Sequence, residues 1–446
     1  MNALADLRQQ SPSNGTSRMP RVKRRRSFSP LSPVGLALFS YALFFAATWI
    51  PPGTYQSIMQ EHDHMFLDLK AHFFVLSCLL CFLAGSALAS RIRLGGGQMQ
   101  RPTPGNAIYV AVPVVLACLL NLASVLIFMR SNPHLLTAWL SDAKSAKRDF
   151  DGTGGLTEAL PLLFGVCWWA TLRLLELESS RGARCSRLRL AIGASFAFAV
   201  FTALVKVARY DLMPGIFGLV LVVFFNKYKD SNVSLRAYMA PLLKIGLGMV
   251  AVFILFGWLR GNSGISAVLN NVMGYTVASY NRLSMLLNGK IHFAYAGTGT
   301  YAFRFLGNMP LVGRWFDLAR TMGMPNPEDA WLSEFSAVFR AGLDGRYIWL
   351  SAFGYIYADI GLFVFPYVFA VGAFAAWLWK SLQRGRATGV VLYPWFAFSI
   401  VFWFGSNYLA YPRLLTLAGT GVLLLIYDRV ARTFFGTRPS GAHITR

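Results

Sequence analysis

Lys206-Val-Ala-Arg209-Tyr210-Asp211 places two cations, a phenol and a carboxylate between two apolar runs, directly ahead of Pro214-Gly215. Drawing a charge into an apolar boundary costs at least ~3 kcal/mol, so a cluster of this kind marks a candidate site. Arg209 is its centre, with Lys206 and Tyr210 beside it. A guanidinium stays charged at any working pH and presents two parallel N–H donors, a geometry that fits phosphate or diphosphate oxygens. The simpler alternatives are an ion pair with Asp211 or snorkelling to lipid phosphates. Arg148, ahead of Asp149-Phe-Asp151-Gly-Thr-Gly-Gly, either serves the same anion or is surface charge.

A second basic concentration lies between Trp258 and Tyr347. It holds Arg260, Arg282, Lys290, Arg304, Arg314, Arg320, Arg340 and Arg346 against Asp317, Glu328, Asp329, Glu334 and Asp344. A cationic, aromatic-rich segment beside a membrane points to an anionic, membrane-tethered ligand. Glu61-His62-Asp63-His64 is the one place where carboxylates and imidazoles alternate. Such residues can ligate a metal or move protons. Alternating side chains point different ways, however, and no other Cys/His cluster completes a closed site, so no metal and no cofactor are expected. The sequence contains no phosphate-binding loop, HExxH or GxSxG motif, which leaves ATP-driven and zinc-protease chemistry without support.

The elements that carry these residues belong in a bilayer. Hydrophobic residues make up 55% of the chain and charged ones 14%, too few to solvate the surface of so apolar a protein. The formal charge of +23 would suit a nucleic-acid binder. Its concentration in short segments between apolar runs instead fixes membrane orientation, and nucleic acid is not an expected partner. Cys78, Cys81, Cys118 and Cys167 fall within apolar runs, so disulfides are not expected; they read as small core residues. The stretches 33–50, 70–90, 107–129, 158–178, 188–207, 211–226, 238–258, 362–379, 390–406 and 413–428 each approach the ~20 apolar residues that a span requires. Segment 347–361 is apolar as well, and is either an interfacial helix or the outer part of a long eighth span.

Basic residues then set the orientation. Arg21, Lys23, Arg24, Arg25 and Arg26 precede the first span, and Arg181, Arg184, Arg187 and Arg189 fill one later connection. Alternate connections are poorer in Lys and Arg, which predicts that both termini are cytoplasmic. The expected fold class is an all-α polytopic membrane protein with about ten transmembrane helices and one large periplasmic loop containing short helices. Its organisation reads as a basic cytoplasmic tail (1–32), a seven-helix region (33–258), the large loop (259–346), a three-helix region (347–430) and a cytoplasmic tail (431–446). Inside the loop, 265–287 predicts one amphipathic helix. Ile265, Val268, Leu269, Val272, Met273, Tyr280, Leu283 and Leu287 form its apolar stripe, and Asn271, Tyr275 and Arg282 share another face. That polar face is either solvated or grips a head group or sugar at the membrane surface.

Three places carry a family resemblance: Arg209 between two spans; the loop from Arg260 through YNRLSMLLNG (280–289) and GTGTYAFRFLG (297–307); and SEFSAVFRAG (333–342) leading to YADIGLFVFPYVFAVGAF (357–374). In these the chain resembles the Wzy-type O-antigen and capsule polymerases, the oligosaccharide repeat-unit polymerases of bacteria. The resemblance implies a metal-independent glycosyltransferase of the bacterial inner membrane. It would move glycan from undecaprenyl pyrophosphate to the non-reducing end of the next lipid-linked unit at the periplasmic face. It also implies Arg209, Arg282, Arg260 and Arg340 as catalytic cations. Arg148, Lys206, Tyr210, Asn271, Tyr275, Tyr280, Arg304 and Asp359 would bind substrate. The expected partners are the lipid-linked oligosaccharide, membrane lipids and a chain-length regulator.

Three alternatives stand beside it. An O-antigen ligase would need a functional histidine in the large loop, where His292 is alone and followed by FAYAGTGT. A membrane glycosyltransferase using a lipid-phosphate sugar would rest on Glu61 and Asp63. A transporter or flippase would carry charge deep in several spans and repeated broken helices.

Overall fold

The computed structural model describes residues 29–61, 67–92, 107–131, 154–182, 184–205, 209–229, 264–307 and 315–434, with the single residues 246, 248, 251 and 309 besides. The described residues form helices and turns, with no strand among them. The long helices are α1 (Pro33–Ala47), α2 (Pro52–Met59), α3 (Leu69–Arg91), α4 (Ala107–Ser131), α5 (Gly154–Arg181), α6 (Ser186–Val205) and α7 (Arg209–Tyr228). Beyond residue 264 come α8 (Ile265–Tyr275), α9 (Val277–Leu287), α10 (Pro327–Arg340), α11 (Ser351–Ile360), α12 (Val364–Gln383), α13 (Ala387–Val401) and α14 (Arg413–Phe434).

Among the described residues, six segments are long and apolar enough to cross a membrane: Leu69–Arg91, Ala107–Ile127, Ala159–Ser180, Ser186–Ala203, Ser351–Gln383 and Arg413–Ala431. Helices α1 and α2 meet the same test only together, and they bend by 92° at Pro51-Pro52. The predicted span 33–50 is therefore a straight helix ending at Ala47, because the proline pair cannot continue it. The predicted spans 211–226 and 390–406 are apolar helices of shorter length, and 238–258 lies almost wholly outside the described residues. Segment 347–361 contributes to Ser351–Gln383, one apolar helical stretch of 33 residues. Helix α11 passes through a short 3-10 turn at Gly361, whose φ of 56° suits glycine, into α12.

Packing follows from residue size. Helices α3 and α12 meet through small residues: a Cβ on Gly85 would lie 2.0 Å from the Phe369 carbonyl oxygen, and one on Gly372 would lie 2.2 Å from that of Phe82. Ser86 Oγ donates to the Gly372 carbonyl at 2.9 Å across the same contact. Backbones that approach this closely gain dispersion contacts along the whole interface, the usual glue between helices in lipid. Helix α13 is buried on every side, which its uniformly apolar sequence requires. By contrast, Leu116, Leu119, Leu120, Leu126 and Ile127 of α4 are exposed, as a lipid-facing surface would be.

Charge closes one end of the bundle. Arg173 on α5 donates to Glu176 (2.9 Å), to Asp428 on α14 (2.8 Å) and to the Gly385 carbonyl (2.9 Å), while Tyr109 on α4 donates to the same Asp428. Lys380 caps the last turn of α3 through the carbonyls of Ala89, Ser90 and Ile92. The described parts of the chain at 51–61, 67–69, 264–307, 315–350 and 402–412 are linked to one another away from this cluster.

The close approach at Gly85 and Gly372 gives a direct prediction. Gly372→Leu is expected to cost about 3 kcal/mol or more by forcing the backbones apart, read as loss of monodisperse protein in detergent. Gly53→Ala, which meets nothing within 4 Å, should behave as wild type.

Candidate functional site

The loop-bearing end is built around a pair of charges. Glu61 follows α2, where Gln60 turns the chain with a left-handed φ of 54°. Its Oε1 accepts from Arg282 Nη2 at 2.5 Å, and both side chains are fully buried. Tyr55 donates to Glu61 Oε2 at 2.7 Å. The backbone of Asp344 meets both partners: its N–H donates to Glu61 at 3.2 Å, and its carbonyl accepts from Arg282 at 3.1 Å. The arginine thus serves the fold's own carboxylate through Nη1 and Nη2, while its buried Nε–H has no partner among the described residues.

A second latch lies one turn further along α9. Lys70, at the start of α3, donates to the Leu287 carbonyl at 2.5 Å, neutralising the negative end of α9. Asp68 caps α3 through Ala71 N–H and accepts from Ser284 and Asn288. Together the two latches fasten α9 to the membrane bundle.

Asp359, at the end of α11, fixes the glycine-rich stretch that follows α9. Its Oδ2 accepts from the N–H groups of Tyr301 (2.6 Å) and Ala302 (2.7 Å). Asn407 donates to the Tyr301 carbonyl at 3.0 Å from the other side. Gly297 and Gly299 adopt φ values of 85° and 80°, which lets the chain curl around the carboxylate. The stretch so held presents Arg304 in a single helical turn at 304–307.

Arg304 is half-buried, with its guanidinium 6.0 Å from the centre of the Tyr411 ring. Glu334 lies in the same cluster. It is only 9% exposed, and its Oε2 accepts from Tyr355 at 2.9 Å. Burial pushes the Glu334 carboxyl up to about 7, against the opposing pull of the Tyr355 hydroxyl and the Arg304 charge. A carboxyl that titrates near neutrality can take or give a proton under working conditions. Arg413, two residues beyond Tyr411 and 8% exposed, lines a small cavity with Phe164, Trp168, Pro214, Gly215 and Trp395. Through Pro214 and Gly215 that cavity borders α7, and Arg413, like Arg304 and Glu334, acts electrostatically on Tyr411.

The candidate residues separate accordingly. Arg209 and Tyr210 begin α7, but only their backbone is described; Arg148, Lys206 and Arg260 lie outside the described residues. The single helix expected over 265–287 is broken at Thr276, whose φ of −117° and ψ of −79° divide α8 from α9. The break turns Arg282 inward, away from the face it was expected to share with Asn271 and Tyr275. Asn271 accepts from Tyr347 at 3.0 Å, and Tyr275 packs edge-on against Tyr347 and Trp349. Tyr280 is 2% exposed and sits edge-on against Phe44, so it offers no face to a sugar. Leu269 and Val272 of the expected core stripe are exposed. Arg340 is exposed at the end of α10. Asp359 has Oδ2 engaged with the loop backbone, while its buried Oδ1 has no partner among the described residues. Glu61 belongs to the buried pair; His62, Asp63 and His64 lie outside the described residues.

Glu334 was not singled out from the sequence, although a signal was present. Ala330, Glu334, Ala337 and Val338 recur at helical spacing and are all buried, so the acid sits on the inner stripe of α10.

Its titration has a consequence for stability. The folded state holds the Glu334 proton up to about pH 7, whereas the unfolded chain releases it near the ordinary value of 4.5. Stability therefore falls as pH rises between those values and stays low above them. Glu334→Gln should remove that slope and raise stability above pH 7 by on the order of 3 kcal/mol. Melting midpoints in detergent at pH 5 and pH 8 would check this; an equal pH slope in wild type and variant would contradict it.

No protein-family model, no curated protein and no solved structure matches this chain.

Proposed function

We propose that the chain is a glycosyltransferase of the bacterial inner membrane that polymerises lipid-linked oligosaccharide repeat units. In this reading it has ten spans, both termini are cytoplasmic, and the 259–346 loop lies in the periplasm. The growing glycan leaves undecaprenyl pyrophosphate and joins the non-reducing end of the next lipid-linked unit. The supporting observation is the convergence of Arg304, Glu334 and Arg413 at the loop-bearing end of an apolar bundle, beside the turn that Arg209 opens.

The chemistry asks for that set. Pyrophosphate is already a good leaving group, so the protein's main task is to place cations where its charge develops and to orient the acceptor. Arginines do this without a metal. The resemblance to Wzy-type polymerases, carried by Arg209, the 280–307 stretch and the segment through Asp359-Ile-Gly361, supports the same reading. Within it, Arg304 takes the ligand-facing part first expected of Arg282, whose buried guanidinium is paired with Glu61.

Gene deletion followed by gel analysis of surface polysaccharide tests the proposal. The expected result is a single repeat unit on its anchor, with the ladder restored by the wild-type gene. Loss of even the single unit would indicate a ligase. Repeat units held on the inner leaflet would indicate a flippase. Either result would overturn the polymerase reading.

A further inference from the structure

We infer that Glu334 is the base that accepts the acceptor hydroxyl's proton during glycan transfer, with Arg304 beside it to steady the departing phosphate. The assignment rests on the polymerase reading above. Its geometry is specific. Glu334 reaches inward from α10, and Tyr355 on α11 binds one oxygen, Oε2. Tyr301 from the glycine-rich stretch and Tyr411 from the segment before α14 are the other titratable groups whose charge couples to it, and Arg304 is the cation.

Each neighbour acts on the proton in a known direction. The Tyr355 hydroxyl and Arg304 favour the carboxylate, whereas burial favours the acid, and the balance lies at about 7. A base is most effective when its affinity for protons matches the operating pH. A carboxylate serving only to brace Tyr355 would need no such balance, and a carboxamide oxygen would brace the phenol equally well.

The step balances as follows. The acceptor sugar's hydroxyl oxygen attacks the anomeric carbon of the donor glycan, forming the new glycosidic C–O bond. The bond from that carbon to the pyrophosphate oxygen breaks, and its electron pair leaves with the prenyl pyrophosphate. The hydroxyl proton passes to the Glu334 carboxylate and is later released to solvent. No oxidant, reductant or metal enters.

The test uses full-length protein in lipid nanodiscs, supplied with the lipid-linked oligosaccharide extracted from cells lacking the gene. Polymerisation rate is followed from pH 5 to 9. Wild type should gain rate through a one-proton transition near neutrality and then level off. Glu334→Gln should lose about 100-fold or more, within the usual range for a missing general base. Tyr355→Phe and Arg304→Gln each remove a group that favours the carboxylate, so the transition should move to higher pH in both. Folded Glu334→Gln with rate within a few-fold of wild type would overturn the assignment while leaving the polymerase standing. Should that variant fail to fold, an unmoved transition in both other variants would overturn it equally. Wild-type protein that makes no polymer from this substrate would instead remove the polymerase reading, and this assignment with it.

Discussion

The loop-bearing end depends on the buried ion pair between Glu61 and Arg282. Moving both charges out of water is expensive, and their attraction offsets that cost only if the remaining donors and acceptors are also satisfied. Here Tyr55, the Ala278 carbonyl and both backbone groups of Asp344 supply most of those contacts. The pair therefore joins three distant parts of the chain: the turn after α2, the middle of α9, and the segment that leaves α10. Everything between Arg282 and Asp344 is fixed at its two ends by the same two side chains.

Within that closed segment lie the groups capable of chemistry. Asp359 holds the curl that presents Arg304, and Tyr355, packed with Phe293 and Tyr301, donates to Glu334. The same burial that raises the affinity of Glu334 for its proton costs stability at neutral pH. Such an expense is typical of sites selected for reactivity rather than for folding. Arg304 is placed so that its charge limits the effect without removing it. The division of labour is clear: Arg282 spends its charge on structure, Arg304 keeps its charge near the surface, and Arg413 faces a cavity beside α7.

Much of the membrane architecture was legible in the residues themselves. Apolar runs such as 70–90 and 107–129 have no other solution than helices, and their positions agree with α3 and α4 closely. The bend at Pro51-Pro52 was available from proline chemistry alone. Local periodicity failed where tertiary contacts decide. It joined α8 and α9 across Thr276, and so assigned Arg282 to an outer face when the break turns it inward to Glu61. No spacing rule links residues 61 and 282, so a buried partner of this kind cannot be read from either segment. Glu334 was hidden differently: its helical stripe was visible, but acids in a basic loop are ordinarily solvated, and only packing against Tyr355 reveals otherwise.

The account stands or falls on whether Glu61 and Arg282 hold the loop as a coupled unit. The direct measurement is a double-mutant cycle on melting stability in detergent, using Glu61→Gln, Arg282→Met and the two together. Each single change should cost about 3–5 kcal/mol, because it strands a buried partner, and the double variant should cost clearly less than their sum. Strictly additive losses would show that the two side chains do not support one another, and the clamp described here would be contradicted.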